Sequence, residues 1–85
     1  MDYIIVAFRS RSHTIKFANI LRERFVAMEI INTPKEAGVG CGLSVKVRKE
    51  SFELIKRLVV MADFPSFAGF FSVKEMSDRR FVRSI

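Results

Sequence analysis

Residues 3–8, Tyr-Ile-Ile-Val-Ala-Phe, form an apolar run with no polar residue at any alternate position. A strand with one wet face alternates between apolar and polar residues. One that does not alternate is covered on both faces or lies centrally in its sheet. This run therefore fixes a first strand around which the remaining elements have to be arranged.

After it, Arg9 to Ser12 turn the chain. Ser10 or Ser12 is placed to cap a helix whose apolar positions are Phe17, Ala18, Leu21 and Phe25. Lys16, Asn19, Arg22 and Glu23 fall elsewhere on the wheel, so the helix is amphipathic and suited to cover a sheet. Met28 to Thr33 reads as a second strand, with Met28 and Ile30 on one side, Glu29 and Ile31 on the other, and Pro34 closing it. In a third strand Leu43, Val45 and Val47 alternate with Ser44, Lys46 and Arg48, which leaves one solvated face. Ser51 is the cap expected for a second helix carrying Phe52, Ile55, Leu58, Val59 and Ala62 on one stripe and ended by Pro65. Phe67 to Val73 reads as a fourth strand, with Gly69 at a bulge or a close backbone approach.

The order βαββαβ predicts an α+β fold of the ferredoxin-like kind. It is a four-stranded antiparallel sheet with the first and third strands central and both helices on one face. Phe17, Leu21, Ile55, Leu58 and Val59 are the expected packing residues. The domain is expected to span 1–75. Residues 76–85, where Arg79, Arg80 and Arg83 face only Asp78, read as a flexible basic tail.

A chain of 85 residues is one domain, of a size that buries only about 60% of its unfolded surface. With 49% hydrophobic residues and nine Phe it has enough apolar side chains for a core and some to spare. A homodimer using Phe67, Phe70 and Phe71 is therefore expected. One cysteine and one histidine provide neither a disulfide framework nor a cysteine-rich zinc site within one chain, so no metal is expected. The N-terminus has no basic leader and the longest apolar run falls far short of a membrane span, which points to a cytoplasmic protein with no membrane partner. The net charge of +6 favours acidic partners. Nucleic acid is not expected all the same. RNA-recognition domains of this architecture stack bases on aromatics of the two central strands, whereas the solvated face here shows Ser44, Lys46 and Arg48.

Between the second and third strands lies Thr-Pro-Lys-Glu-Ala-Gly-Val-Gly-Cys-Gly-Leu-Ser, residues 33–44, with the sole cysteine, Cys41, and three of the four glycines, Gly38, Gly40 and Gly42. A lone cysteine is as a rule a small buried hydrophobe. Flanking glycines contribute little volume to a core, so a presented thiol is an equally good reading here. Lys35 and the amides of Gly40, Gly42 and Leu43 are the groups at hand to favour its thiolate.

Taken in order, the strand Ile4 to Phe8, Ser12-His13 at a helix start, Thr33-Pro34, and Cys41-Gly42-Leu43-Ser44 form a pattern. It resembles the selenium/sulfur carrier protein-like family over roughly Tyr3 to Lys74. The resemblance implies a carrier and not an enzyme, without a resident cofactor, in which Cys41 holds a persulfide or selenosulfide. It implies a binding loop of Thr33, Pro34, Lys35, Gly38, Gly40, Gly42, Leu43 and Ser44. A cysteine or selenocysteine desulfurase, or an acceptor enzyme, would be the partner. The alternatives are a small ligand-binding or regulatory domain and an RNA-binding module. His13 is placed outside the site, on the expectation that short connections put the start of the first helix and this loop at opposite ends of the sheet.

Overall fold

The computed structural model describes residues 1–40 and 42–85. Its elements are β1 (Asp2–Phe8), α1 (Arg11–Glu23), β2 (Met28–Asn32), β3 (Leu43–Val47), α2 (Phe52–Ala62), β4 (Phe67–Met76) and β5 (Arg79–Ser84), with 3₁₀ turns at Lys35–Ala37 and Lys49–Ser51.

β1 sits in the middle of a five-stranded antiparallel sheet of order β2-β3-β1-β4-β5. Every residue from Tyr3 to Phe8 is buried, as the unbroken apolar run requires. Ile4, Val6 and Phe8 face both helices and pack with Phe17, Ala18, Leu21, Ile55, Leu58 and Val59, so α1 and α2 lie on one side of the sheet. Tyr3 and Ile5 face the other side, where they meet Val73. Burying side chains such as Leu21 or Ile55 stabilises the fold by about 1.5–3 kcal/mol each.

Four strands were expected and five are present. The segment read as a flexible basic tail is β5, paired with β4 from Phe71↔Ser84 to Met76↔Arg79. Arginines at three of its six positions hide the strand, because alternation is legible only where one face is apolar, and here Val82 is the sole half-buried residue. The turn Ser77-Asp78 contains no glycine to announce a hairpin.

Ser10 caps α1, its hydroxyl accepting from the His13 amide at 3.2 Å. The helix ends before Phe25. The Val26 amide donates to Leu21 O at 2.9 Å and the Phe25 amide to Arg22 O at 3.1 Å, the two bonds of a Schellman stop. That stop holds Phe25 at φ 57° and 97% exposed, so the expected fourth apolar position of the helix face is solvent. α2 also stops before Pro65, with Asp63 left-handed at φ 52°. Ser51 precedes it without giving a side-chain cap bond.

Gly69, at φ 135°, sits where the register of β4 on β1 shifts beside Ala7 and Phe8. The bulge turns both Phe67 and Phe70 to the helix side, where Phe67 meets Phe8 and Phe70 meets Phe52 edge to face. Phe71 joins the opposite cluster. The three rings expected at a self-association surface are therefore half-buried within the domain.

Candidate functional site

The β2–β3 connection leaves the sheet through a closed neck. The Thr33 amide donates to Gly42 O at 2.9 Å, and the hydroxyls of Thr33 and Ser44 share a hydrogen bond of 2.7 Å. Ser44 is fully buried, and Pro34, which follows Thr33, is also buried. From there the 3₁₀ turn Lys35–Ala37 forms, with Ala37 N–H donating to Pro34 O at 3.0 Å and Gly38 N–H to Lys35 O at 3.1 Å. Gly38 adopts φ 67°, a left-handed conformation that a side chain would strain. Around Gly40 and Gly42 a Cβ would meet nothing within 4 Å, and both glycines are exposed.

The turn lies across the sheet face opposite the helices. Ala37 packs with Tyr3, Ile5 and Val73, and Ile31, Phe71 and Val82 close around them. Beside Ala37, Glu36 receives two bonds from Arg80 of β5, Nη2 to Oε1 at 2.9 Å and Nε to Oε2 at 3.2 Å. The guanidinium holds the Glu36 carboxyl below its ordinary range, and the carboxylate in turn raises Arg80. A bidentate pair of this geometry fixes direction as well as distance. Lys35 is exposed.

The start of α1 is at the same end of the sheet as this loop, contrary to expectation. Because β1 and β3 are antiparallel, the end of β1 meets the beginning of β3, with Ala7 opposite Ser44. Thr14, fully buried in the first turn of α1, donates through Oγ1 to Ser10 O at 3.1 Å and also reaches Leu43 O at 3.5 Å. His13 is turned to the other flank of β1. Its Nδ1 shares a hydrogen bond of 2.6 Å with Ser66 Oγ, and its ring stacks on Phe64 with centroids 4.7 Å apart and planes at 6°. So His13 faces the β4 side while the loop neck is on the β3 side. A lateral separation, and not opposite ends, divides them.

The structure thus brings Thr33, Pro34, Gly42, Leu43 and Ser44 together with Thr14, and strings Lys35, Gly38 and Gly40 along the loop. Cys41 lies outside the described residues. Thr14 and Arg80 were missed from the sequence. Thr14 gives only a weak signal, as a hydroxyl four residues after the capping serine, and Arg80 gives none, being 44 residues from Glu36. Among the described residues no cluster of His, Cys, Asp and Glu is placed to hold a metal ion, and no helix is long and apolar enough to cross a membrane.

A family model described as "Putative Se/S carrier protein-like" matches residues 2–65. The chain belongs to this Se/S carrier-like family. The matched segment runs from β1 through α2 and contains the whole Thr33–Ser44 loop. It ends before β4 and β5, so both Ser66 and Arg80, which hold His13 and the loop, are supplied from outside the Se/S carrier-like segment. Neither the curated proteins nor the solved structures contain a match to the chain.

Proposed function

We propose that this protein carries or delivers sulfur or selenium, with Cys41 as the transfer group and the Thr33–Ser44 loop as the segment offered to a donor or acceptor enzyme. What carries the reading is the family membership over a segment that contains the chain's one thiol, between two glycines. The anchored neck at Thr33, Gly42 and Ser44 supports it, since a loop tied at its base and exposed at Gly40 and Gly42 suits insertion into a second protein's cleft. We read β1 to β4 as a ferredoxin-like sandwich extended by β5, on the strength of the strand order and the one-sided helices.

The transfer balances without an oxidant. The Cys41 thiolate attacks the outer sulfur of a donor persulfide, the donor's S–S bond breaks, and the donor leaves as a thiolate that takes up the proton Cys41 gave up. Cys41 then bears S–SH, or S–SeH from a selenium-loaded donor. A chain with no second cysteine has no resolving thiol to discharge this species internally.

Incubating the reduced protein with a cysteine desulfurase and cysteine, or a selenocysteine lyase and selenocysteine, tests the proposal by intact mass. The native chain is expected to gain one sulfur or one selenium, and Cys41→Ala to gain none. A native chain that keeps its unmodified mass with both donors overturns it.

A further inference from the structure

We propose that the helix-side face of the β4–β5 hairpin binds single-stranded nucleic acid, through Lys74, Arg79 and Arg83 to phosphates and Phe81 to a base. The register puts Ser72, Lys74 and Met76 of β4 on the same face as Arg83, Phe81 and Arg79 of β5, in that pairing. This is the face that the helices cover over β1 and β3 and leave bare over β5. Phe81 is 51% exposed, and Lys74, Arg79 and Arg83 are exposed around it.

The two sides of β5 differ in what their cations do. On the opposite side Arg80 is spent on Glu36 and Val82 is packed in the Tyr3 cluster. On this side none of the three cations has an ion-pair partner among the described residues. Asp2, which stands opposite Lys74 in the register, gives its carboxylate to Lys49 at 3.8 Å. A depression of about 700 Å³ at the β5 border is lined by Ser72, Lys74, Phe81 and Arg83 of this face and by Glu36, Arg80 and Val82 of the other.

Alternate residues of a strand are about 6.8 Å apart, so Arg79, Phe81 and Arg83 make a cation–aromatic–cation stripe, with Lys74 opposite Phe81 on a strand whose backbone runs about 5 Å away. A half-bare ring among unpaired cations is satisfied by a ligand that supplies a flat π surface and a string of negative charges together. Single-stranded nucleic acid supplies both, and a duplex withholds its base faces. A free small anion would leave the ring uncovered, and an acidic peptide would neutralise the cations without requiring the ring. Bases stacked on the two central strands, as in RNA-recognition domains, are a different surface.

Fluorescence anisotropy with a labelled oligouridine of about 12 nucleotides, within the site sizes of ~4–16 known for single-strand grooves, tests this. Phe81→Ala is expected to weaken binding about 5- to 100-fold and Phe81→Tyr to retain it. Arg83→Ala is expected to lower the slope of log affinity against log salt by about 0.7, the loss of one phosphate contact. Lys16→Ala, on the exposed face of α1, removes the same charge and is expected to leave affinity unchanged; circular dichroism checks that each variant is folded. Equal weakening by Lys16→Ala and Arg83→Ala would show unlocalised attraction and overturn the proposal. So would a duplex of equal length binding as tightly as the single strand, or an oligoglutamate displacing it with Phe81→Ala binding unchanged.

Discussion

On the helix side of the sheet, Phe8, Phe17, Leu21, Val45, Val47 and Ile55 lie within 1% of complete burial, and rings of Phe64, Phe67 and Phe70 seal the margin. On the other side three buried residues, Tyr3, Ile5 and Val73, are roofed by Ile31, Ala37, Phe71 and Val82, of which Ala37 comes from a single 3₁₀ turn. Charges stand close around that thin cluster. Lys46 Nζ lies 4.4 Å from the centroid of the Tyr3 ring, and burial, then the Glu75 carboxylate, push the Tyr3 hydroxyl above the usual phenol range. The contrast separates two tasks that small domains commonly mix. Cooperative stability resides with the helices, while the placement of the Lys35–Ala37 turn beyond the loop neck rests on a shallow patch and one exposed ion pair.

Breaking the deep side has the largest effect. Leu21→Ala is expected to cost about 2–5 kcal/mol, read as a shift of the urea midpoint, because a fully buried leucine leaves a cavity that packed neighbours close only in part. At the loop neck, Thr33→Val removes the partner of a buried hydroxyl. The expected cost is about 1–3 kcal/mol, and a smaller one would mean that Ser44 finds another hydrogen-bond partner. Arg80→Ala sharpens the contrast from the shallow side. The urea midpoint is expected to stay in place while amide exchange at Ala37 and Gly38 accelerates, since an exposed pair steers the turn without supporting the core. A midpoint shift as large as that of Leu21→Ala would merge the two faces into one unit. The same turn carries a pH dependence. Glu36 has a depressed pKa in the folded protein, so its contribution is whole above the ordinary glutamate range and is lost as pH falls through the depressed value. The protection factors of Ala37 and Gly38, which correct exchange for the intrinsic pH dependence of the amides, are accordingly expected to fall in that acid window in the native chain and to stay level through it in Arg80→Ala.

Most of the deep side was legible in the sequence. Phe17, Leu21, Ile55, Leu58 and Val59 stand at helical spacing and pack as that spacing demands, and β3 spans Leu43–Val47, although Ser44, expected on its solvated face, is fully buried where it bonds Thr33. Phe25 kept the spacing but not the helix, because the stop is made by backbone bonds to Leu21 and Arg22 that no apolar count registers. The shallow side was hidden for a related reason. β5 is a strand by pairing and not by composition, and Arg80 acquires its role only from the fold that brings it to Glu36. The position of His13 shows a different gap, since the antiparallel pairing of β1 with β3 already implies that α1 and the loop begin at one end.

β5 also has a consequence for how the protein behaves in crowded solution. Without it, β4 would be a sheet border, and residues 70–76 would offer open backbone bonds, a template on which further chains can stack into aggregates. β5 takes that border from Phe71 to Met76, and the Ile85 amide extends the cover to Phe70 O at 3.1 Å. The new border carries Arg79, Arg80 and Arg83, whose mutual repulsion between copies opposes edge-to-edge growth. The arginines that disguise the strand in the sequence thus act as gatekeepers on the border that β5 presents.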